Sequence, residues 1–150
     1  IEPSEDYVIP FGKGRQVLAA DEDKIAAGES CVVVTYGRGV YWALEAAQEF
    51  EGHIEIIDLR TLSPWDEEMV FEAVDKHSKC VVVTEESIEA TFSLSIAAKI
   101  QKNCFTQLDA PIEVVGSVDT PAIPLNSILE ATLLTNAEKV ADGIRATLAF

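Results

Sequence analysis

VVVTYGRGVYWALEAA, Val32 to Ala47, carries β-branched residues into a turn with two glycines and then into a helical pattern. Beyond the turn, Val40, Leu44, Ala47 and Phe50 recur every three or four residues and so share one helix face, with Gly52 placed to end the helix. Three continuous apolar runs, CVVV at Cys31 to Val34, IEIIDL at Ile54 to Leu59 and CVVV at Cys80 to Val83, are separated by such helical segments. A fourth, IEVVG at Ile112 to Gly116, follows another. Continuous rather than alternating apolar runs are what strands buried on both faces need, so the pattern predicts a doubly wound α/β fold with a parallel sheet.

The connecting helices are read from caps and spacing. In SPWDEEMVFEAVDKH, Ser63 to His77, Pro64 and Asp66 open a helix with Glu67 and Glu68 in its first turn and Val70 and Val74 on its inner face. Phe92, Ile96 and Ile100 mark the next. TNAE, Thr135 to Glu138, reads as a capping box for a last helix that buries Val140, Ile144 and Leu148. The opening stretch, with two prolines and no helical period, reads as a linker over residues 1–15, and the domain as residues 16–150, beginning with a short strand near Gln16 to Ala19.

At 150 residues the chain suits one domain with a sizeable core. Its formal net charge of -15 gives no basic face for a phosphate backbone, which excludes nucleic acid and favours a basic protein partner, or only solubility. No apolar run reaches the roughly 18 residues of a membrane span, and IEPSEDY does not read as a signal peptide; the expectation is a soluble, cytoplasmic protein without membrane contact. Cys31, Cys80 and Cys104 lie far apart, two of them beside valine runs, and read as buried structural residues.

A dinucleotide fingerprint needs G-x-G-x-x-G between strand and helix, with an acid about 20 residues on. Gly37, Gly39 and Asp58 fit, but Trp42 stands where the third glycine would let the helix approach the strand, and an indole there is expected to push the helix away. Arg38 and the following helix N-terminus could still hold an anion; the alternative is a tight turn with Tyr41 and Trp42 as packing or interface aromatics. No P-loop, nucleophile elbow, H-E-x-x-H or C-x-x-C occurs. Glu85 and Glu86, after the third apolar run, could do acid–base work or bind a cation, but with no nucleophile near they read as helix-capping or interface residues. His77, in the last turn of its helix, reads as a partner of the helix dipole. These motifs by themselves assign no catalytic, cofactor-binding or metal-binding residue, and the anion site at Arg38 and acid–base or cation use of Glu85 and Glu86 stay open as alternatives.

Taken in order, YVIPFGKGRQV, YGRGVYWALEAA, IIDLRTLSPWD, VVVTEES and LDAPIEVVGSVDTPAIP resemble the C-terminal domain of the β subunit of thiamin-diphosphate-dependent 2-oxoacid dehydrogenases, the E1 components of the pyruvate and branched-chain complexes. DLRTLSPWD, Asp58 to Asp66, is the most telling phrase, and the domain recurs more distantly in transketolases. The resemblance implies a three-layer α/β/α sandwich around a five-stranded, mostly parallel sheet with one antiparallel edge strand. It also implies that thiamin diphosphate and Mg²⁺ belong to the full enzyme, held by diphosphate- and pyrimidine-binding domains that are not in this sequence. In that family the turn in the opening stretch binds no nucleotide. After Glu85 and Glu86 the sequence departs from the glycine-rich stretch of many relatives, reading SIEATFSLSIAA instead. That phrase and PAIPLNSILE look most like bacterial versions with α and β parts fused, acting on a branched-chain 2-oxoacid.

The resemblance further implies an architectural domain that pairs with its symmetry mate across a twofold and docks the basic peripheral-subunit-binding domain of E2, the acyltransferase component. Asp109 in LDAP and the terminal Phe150 are the carried-over docking residues; otherwise Asp109 caps a turn before Pro111 and Phe150 is a frayed tail. A transketolase-type domain and a free-standing nucleotide-binding or regulatory module are the rival readings.

Overall fold

The computed structural model describes residues 4–150, so the first three residues of the expected linker lie outside it. Five strands form one sheet: β1 (Arg15–Leu18), β2 (Cys31–Thr35), β3 (Ile54–Asp58), β4 (Cys80–Ser87) and β5 (Glu113–Ser117), in the order β1-β3-β2-β4-β5. Only β1 runs antiparallel, pairing Arg15 with Asp58 and Gln16 with Ile57 at one edge. The other pairings are parallel, with Val33 of β2 opposite Ile56 of β3 and Val81 of β4. This is the expected mixed sheet, with the antiparallel strand at its edge.

Alternation along the strands divides the core in two. Cys31, Val33, Ile54, Ile56, Val81, Val83 and Val115 face α2 (Gly39–Ala46) and α6 (Ala137–Leu148). Val32, Val34, Ile57, Cys80 and Val82 face α3 (Glu67–His77) and α4 (Phe92–Cys104). Each central strand is thus buried on both faces, which is why its sequence shows no polar alternation. The three cysteines are buried and unpaired, and burial pushes the Cys31 thiol up to about 12, as suits a packing residue.

Asp66 caps α3 as expected, its carboxylate accepting the amide of Met69, and Val70 and Val74 are fully buried. Other local expectations are corrected. The cap of α6 is Asn136, whose side chain accepts the amide of Lys139; Thr135 is instead buried, its hydroxyl donating to the carbonyl of Thr84 in the carboxyl half of β4. A threonine with a strand carbonyl in reach hands the cap to the next polar residue.

Helix α2 stops at Ala46, followed by a 3-10 turn over Ala47–Glu49, so Phe50 lies beyond it. Its buried face is Gly39, Ala43 and Ala46, with Val40 and Leu44 only partly covered. The expected displacement by Trp42 does not occur, because the close approach is made one turn earlier: a Cβ on Gly39 would collide with the Thr35 hydroxyl. Gly37 supplies the positive φ of the turn, +58°. Trp42 packs at the rim of the core, half-buried.

Two short helices have no counterpart in the sequence reading: α1 (Glu22–Ala26) and α5 (Ser127–Leu133), neither of which buries a residue. Strand β4 also runs on to Ser87, so Glu85 and Glu86 lie within it rather than after it. The cap of α4 is the backbone of Thr91, so neither glutamate caps that helix.

Candidate functional site

Strands β2 and β4 are neighbours whose following helices, α2 and α4, pack on opposite faces, and such a divergence opens a crevice at the carboxyl edge of a sheet. A cleft of about 520 Å³ lies at this edge. Arg38 and Trp42 come from the β2–α2 turn, Glu85 from β4 and Ser117 from β5; Ile123, Glu130, Ala131, Leu134 and Asn136 come from α5 and the segments beside it. The Arg38 guanidinium lies over the Trp42 ring, 5.6 Å from its centroid, which fixes both side chains at the rim.

The polar wall is internally bonded. Ser117 Oγ donates to the carbonyl of Glu85 at 2.9 Å, and Thr135 Oγ1 donates to the carbonyl of Thr84 at 3.0 Å. Tyr36, just after β2, shares a hydrogen bond of 2.9 Å with Thr84 Oγ1 and donates to Glu86 Oε1 at 3.4 Å. Partial burial raises the Tyr36 phenol above its ordinary value, and the neighbouring Glu86 charge works the same way, so Tyr36 holds its proton.

A second cluster was not legible in the sequence because its members are far apart. Ser30 Oγ lies 2.7 Å from Nδ1 of His77, and Glu55 Oε2 lies 3.0 Å from its Nε2. The carboxylate only accepts, so Nε2 carries a proton toward it. Lys76 adds a contact of 3.5 Å to the same oxygen. Burial alone would raise the Glu55 carboxyl, but the hydrogen bond and charge of His77, with Lys76, outweigh it and hold the group below its ordinary 4.5. Serine, histidine and carboxylate in series have the composition of a hydrolytic relay. Here Ser30 is wholly buried and no substrate reaches it, so the cluster joins the start of β2, the end of α3 and β3. His77 lies in the last turn of α3, as its position in the sequence implied, and is in addition a buried bridge to Ser30 and Glu55.

Asp109 and Phe150 both lie at the amino edge of the sheet. Helix α4 returns from the carboxyl edge, and after it the amide of Asp109 donates to the carbonyl of Ser78, just beyond α3. Helix α6 begins beside the ends of β4 and β5 and descends to Phe150 at the same edge, on the opposite layer. Asp109 is exposed, and Phe150 is 71% exposed.

The cleft at the carboxyl edge does not fit a magnesium diphosphate. It offers one cation, Arg38, beside Glu85 and Glu130, whose charges oppose a diphosphate, and one of the amides at the start of α6, that of Lys139, is already taken by Asn136. Among the described residues, no group of three or more His, Cys, Asp or Glu is placed to hold a metal ion.

These features define an α/β/α domain whose one sizeable cleft among those described at the carboxyl edge is not built for phosphate. The profile of the family described as "Transketolase, C-terminal domain" matches residues 22–140, and the chain belongs to that family. It is 35% identical over 151 residues to the 2-oxoisovalerate dehydrogenase subunit beta of Bacillus subtilis, covering 99% of this chain and 44% of that protein. The pyruvate dehydrogenase E1 component subunit beta of Rhizobium meliloti is 34% identical, covering 95% of this chain and 30% of that one. The beta subunit of acetoin:2,6-dichlorophenolindophenol oxidoreductase from Cupriavidus necator is 37% identical, covering 97% and 41%. A solved structure described as a split gene transketolase, inactive beta4 tetramer, superposes with a TM-score of 0.73 at 19% identity, covering 97% of this chain and 44% of that one, a likeness of fold. The chain spans less than half the length of the curated relatives it matches.

Proposed function

We propose that the chain is the C-terminal domain of a 2-oxoacid dehydrogenase E1 component. The full enzyme decarboxylates a 2-oxoacid, the branched-chain 2-oxoisovalerate, and transfers the acyl group to E2 lipoyl groups. The observation that carries this reading is the 35% identity, over 99% of the chain, to a subunit named for 2-oxoisovalerate. Residues 1–15 serve as the interdomain linker and 16–150 as the domain. Thiamin diphosphate and Mg²⁺ bind in the other E1 domains, and this chain holds no residue of the chemistry. The setting is the cytoplasm.

Within that enzyme the domain pairs with its symmetry mate and docks the basic E2 binding domain at Asp109 and Phe150. Exposure of both at one edge, on a chain of net charge -15, supports this. The experiment is a titration of the complete E1 with its E2 binding domain, comparing the parent with Asp109→Ala and with Phe150→Ala. Each change is expected to weaken binding at least about tenfold, the loss of a desolvated charge pair at Asp109 and of an apolar anchor at Phe150. Unchanged affinity in both puts the docking site elsewhere. A parent E1 that binds no E2 domain at all favours the transketolase-type reading. Calorimetry of the 150-residue chain against thiamin diphosphate and Mg²⁺ is expected to give no saturable heat; a saturable one overturns the architectural role.

A further inference from the structure

We propose that the carboxyl-edge cleft binds a free α-amino acid with a large apolar side chain, of the chemistry of phenylalanine or leucine. Its volume, about 520 Å³, lies in the range of small-molecule sites. Its apolar lining comes from Trp42, Ile123, Ala131 and Leu134, and its charges are Arg38, Glu85 and Glu130.

The arrangement of those charges selects the ligand. Among the described residues, none of the three belongs to an ion pair, so Arg38 lies beyond 4.0 Å of either carboxylate although all three line one cleft. The hydroxyls of Ser117 and Thr135 and the side-chain oxygen of Asn136 are spent on backbone partners, which leaves the unpaired charges, with the Ser127 hydroxyl and the Asn136 amide nitrogen, to orient a ligand. A simple anion meets Arg38 but faces two carboxylates. A simple cation meets the carboxylates but faces a guanidinium. A zwitterion places its carboxylate on Arg38 and its ammonium toward Glu85 and Glu130, satisfying both signs with charge-assisted hydrogen bonds. The apolar side chain then covers the indole, whose other approach is occupied by the guanidinium.

This site lies at the opposite edge of the sheet from Asp109 and Phe150, so it is independent of the docking reading. The test is equilibrium dialysis of the 150-residue chain, whose two cores are both closed by its own helices, against L-phenylalanine, 3-phenylpropionate, phenethylamine and glycine. Phenylalanine is expected to bind saturably at one site, and each of the other three at least about tenfold more weakly, the loss of one charge-assisted contact or of the apolar burial. Arg38→Met is expected to weaken phenylalanine by a similar factor while phenethylamine, freed of the facing guanidinium, binds no more weakly than to the parent, and Glu130→Gln to weaken phenylalanine while phenylpropionate, freed of one facing carboxylate, binds no more weakly. Arg38 is exposed and Glu130 partly exposed, and thermal unfolding checks that the variants fold. No saturable binding of phenylalanine up to about 10 mM, phenylpropionate binding as tightly as phenylalanine, or indifference to both substitutions overturns the proposal.

Discussion

Glu55 shows how a single buried acid is made safe. A carboxylate at 6% side-chain exposure is costly unless paired, and His77 and Lys76 together more than offset the burial. Because its folded pKa lies below the unfolded one, its contribution to stability is fully present above pH 4.5 and disappears as the pH falls through the lower folded value. Denaturant unfolding of the parent between about pH 6 and about pH 3 is therefore expected to show a loss that Glu55→Gln lacks; parallel curves for the two proteins count against the pairing. The two glycines of the opening turn make a second contrast at this scale. Gly39→Ala forces a Cβ into the Thr35 hydroxyl, which itself donates to the carbonyl of Val83, so it is expected to cost about 1–3 kcal/mol. Gly37→Ala meets no atom within 4 Å and carries only the positive-φ penalty, on the order of 1 kcal/mol. Urea midpoints in the reverse order would put the close helix–strand approach elsewhere.

At the scale of elements, the parts that were legible in the sequence are those whose residues answer to one physical demand at a time. The runs at Cys31, Ile54 and Cys80 are strands because both faces are buried, and Asp66 caps α3 because its Oδ1 is left to the Met69 amide while its other partner, the Gly14 amide, takes Oδ2. Legibility failed where a residue had two possible partners or an element had no core. Thr135 is taken by Thr84, and α1 and α5 bury nothing, so they write no apolar stripe. The cleft was half legible: Arg38, Trp42 and Glu85 each drew notice, but only the fold brings them to Glu130, some 45 residues from the nearest of them in sequence order. Asn136→Ala tests the corrected cap: a loss of about 1 kcal/mol in unfolding free energy is expected. Glu138→Ala, the other half of the expected capping box, should stay within about 0.5 kcal/mol. Equal losses would restore the box with Thr135 as its cap.

For the whole molecule the governing quantity is charge. With 26 acidic and 11 basic side chains in 150 residues, the surface attracts a basic partner over a distance set by the Debye length, about 10 Å at 0.1 M salt. If E2 docks as proposed, the association rate of the complete E1 should fall steeply with added salt while dissociation changes less. Stopped-flow traces with a salt-independent association rate would assign the net charge to solubility alone.

The segment leading into β1 is stitched to the loop that follows its partner strand β3. The amide of Gly12 donates to Thr61 Oγ1, that of Gly14 to Asp66 Oδ2, and Arg60 donates to the Tyr7 hydroxyl. Asp66 is also the cap of α3. Tension applied to the chain at Tyr7 is therefore taken up by the β3–α3 loop and the first turn of α3 before it reaches the edge strand. The stitches act as a mechanical fuse: a neighbouring body can tug on this domain, and what yields first is a few bonds at its rim, with the sheet left whole.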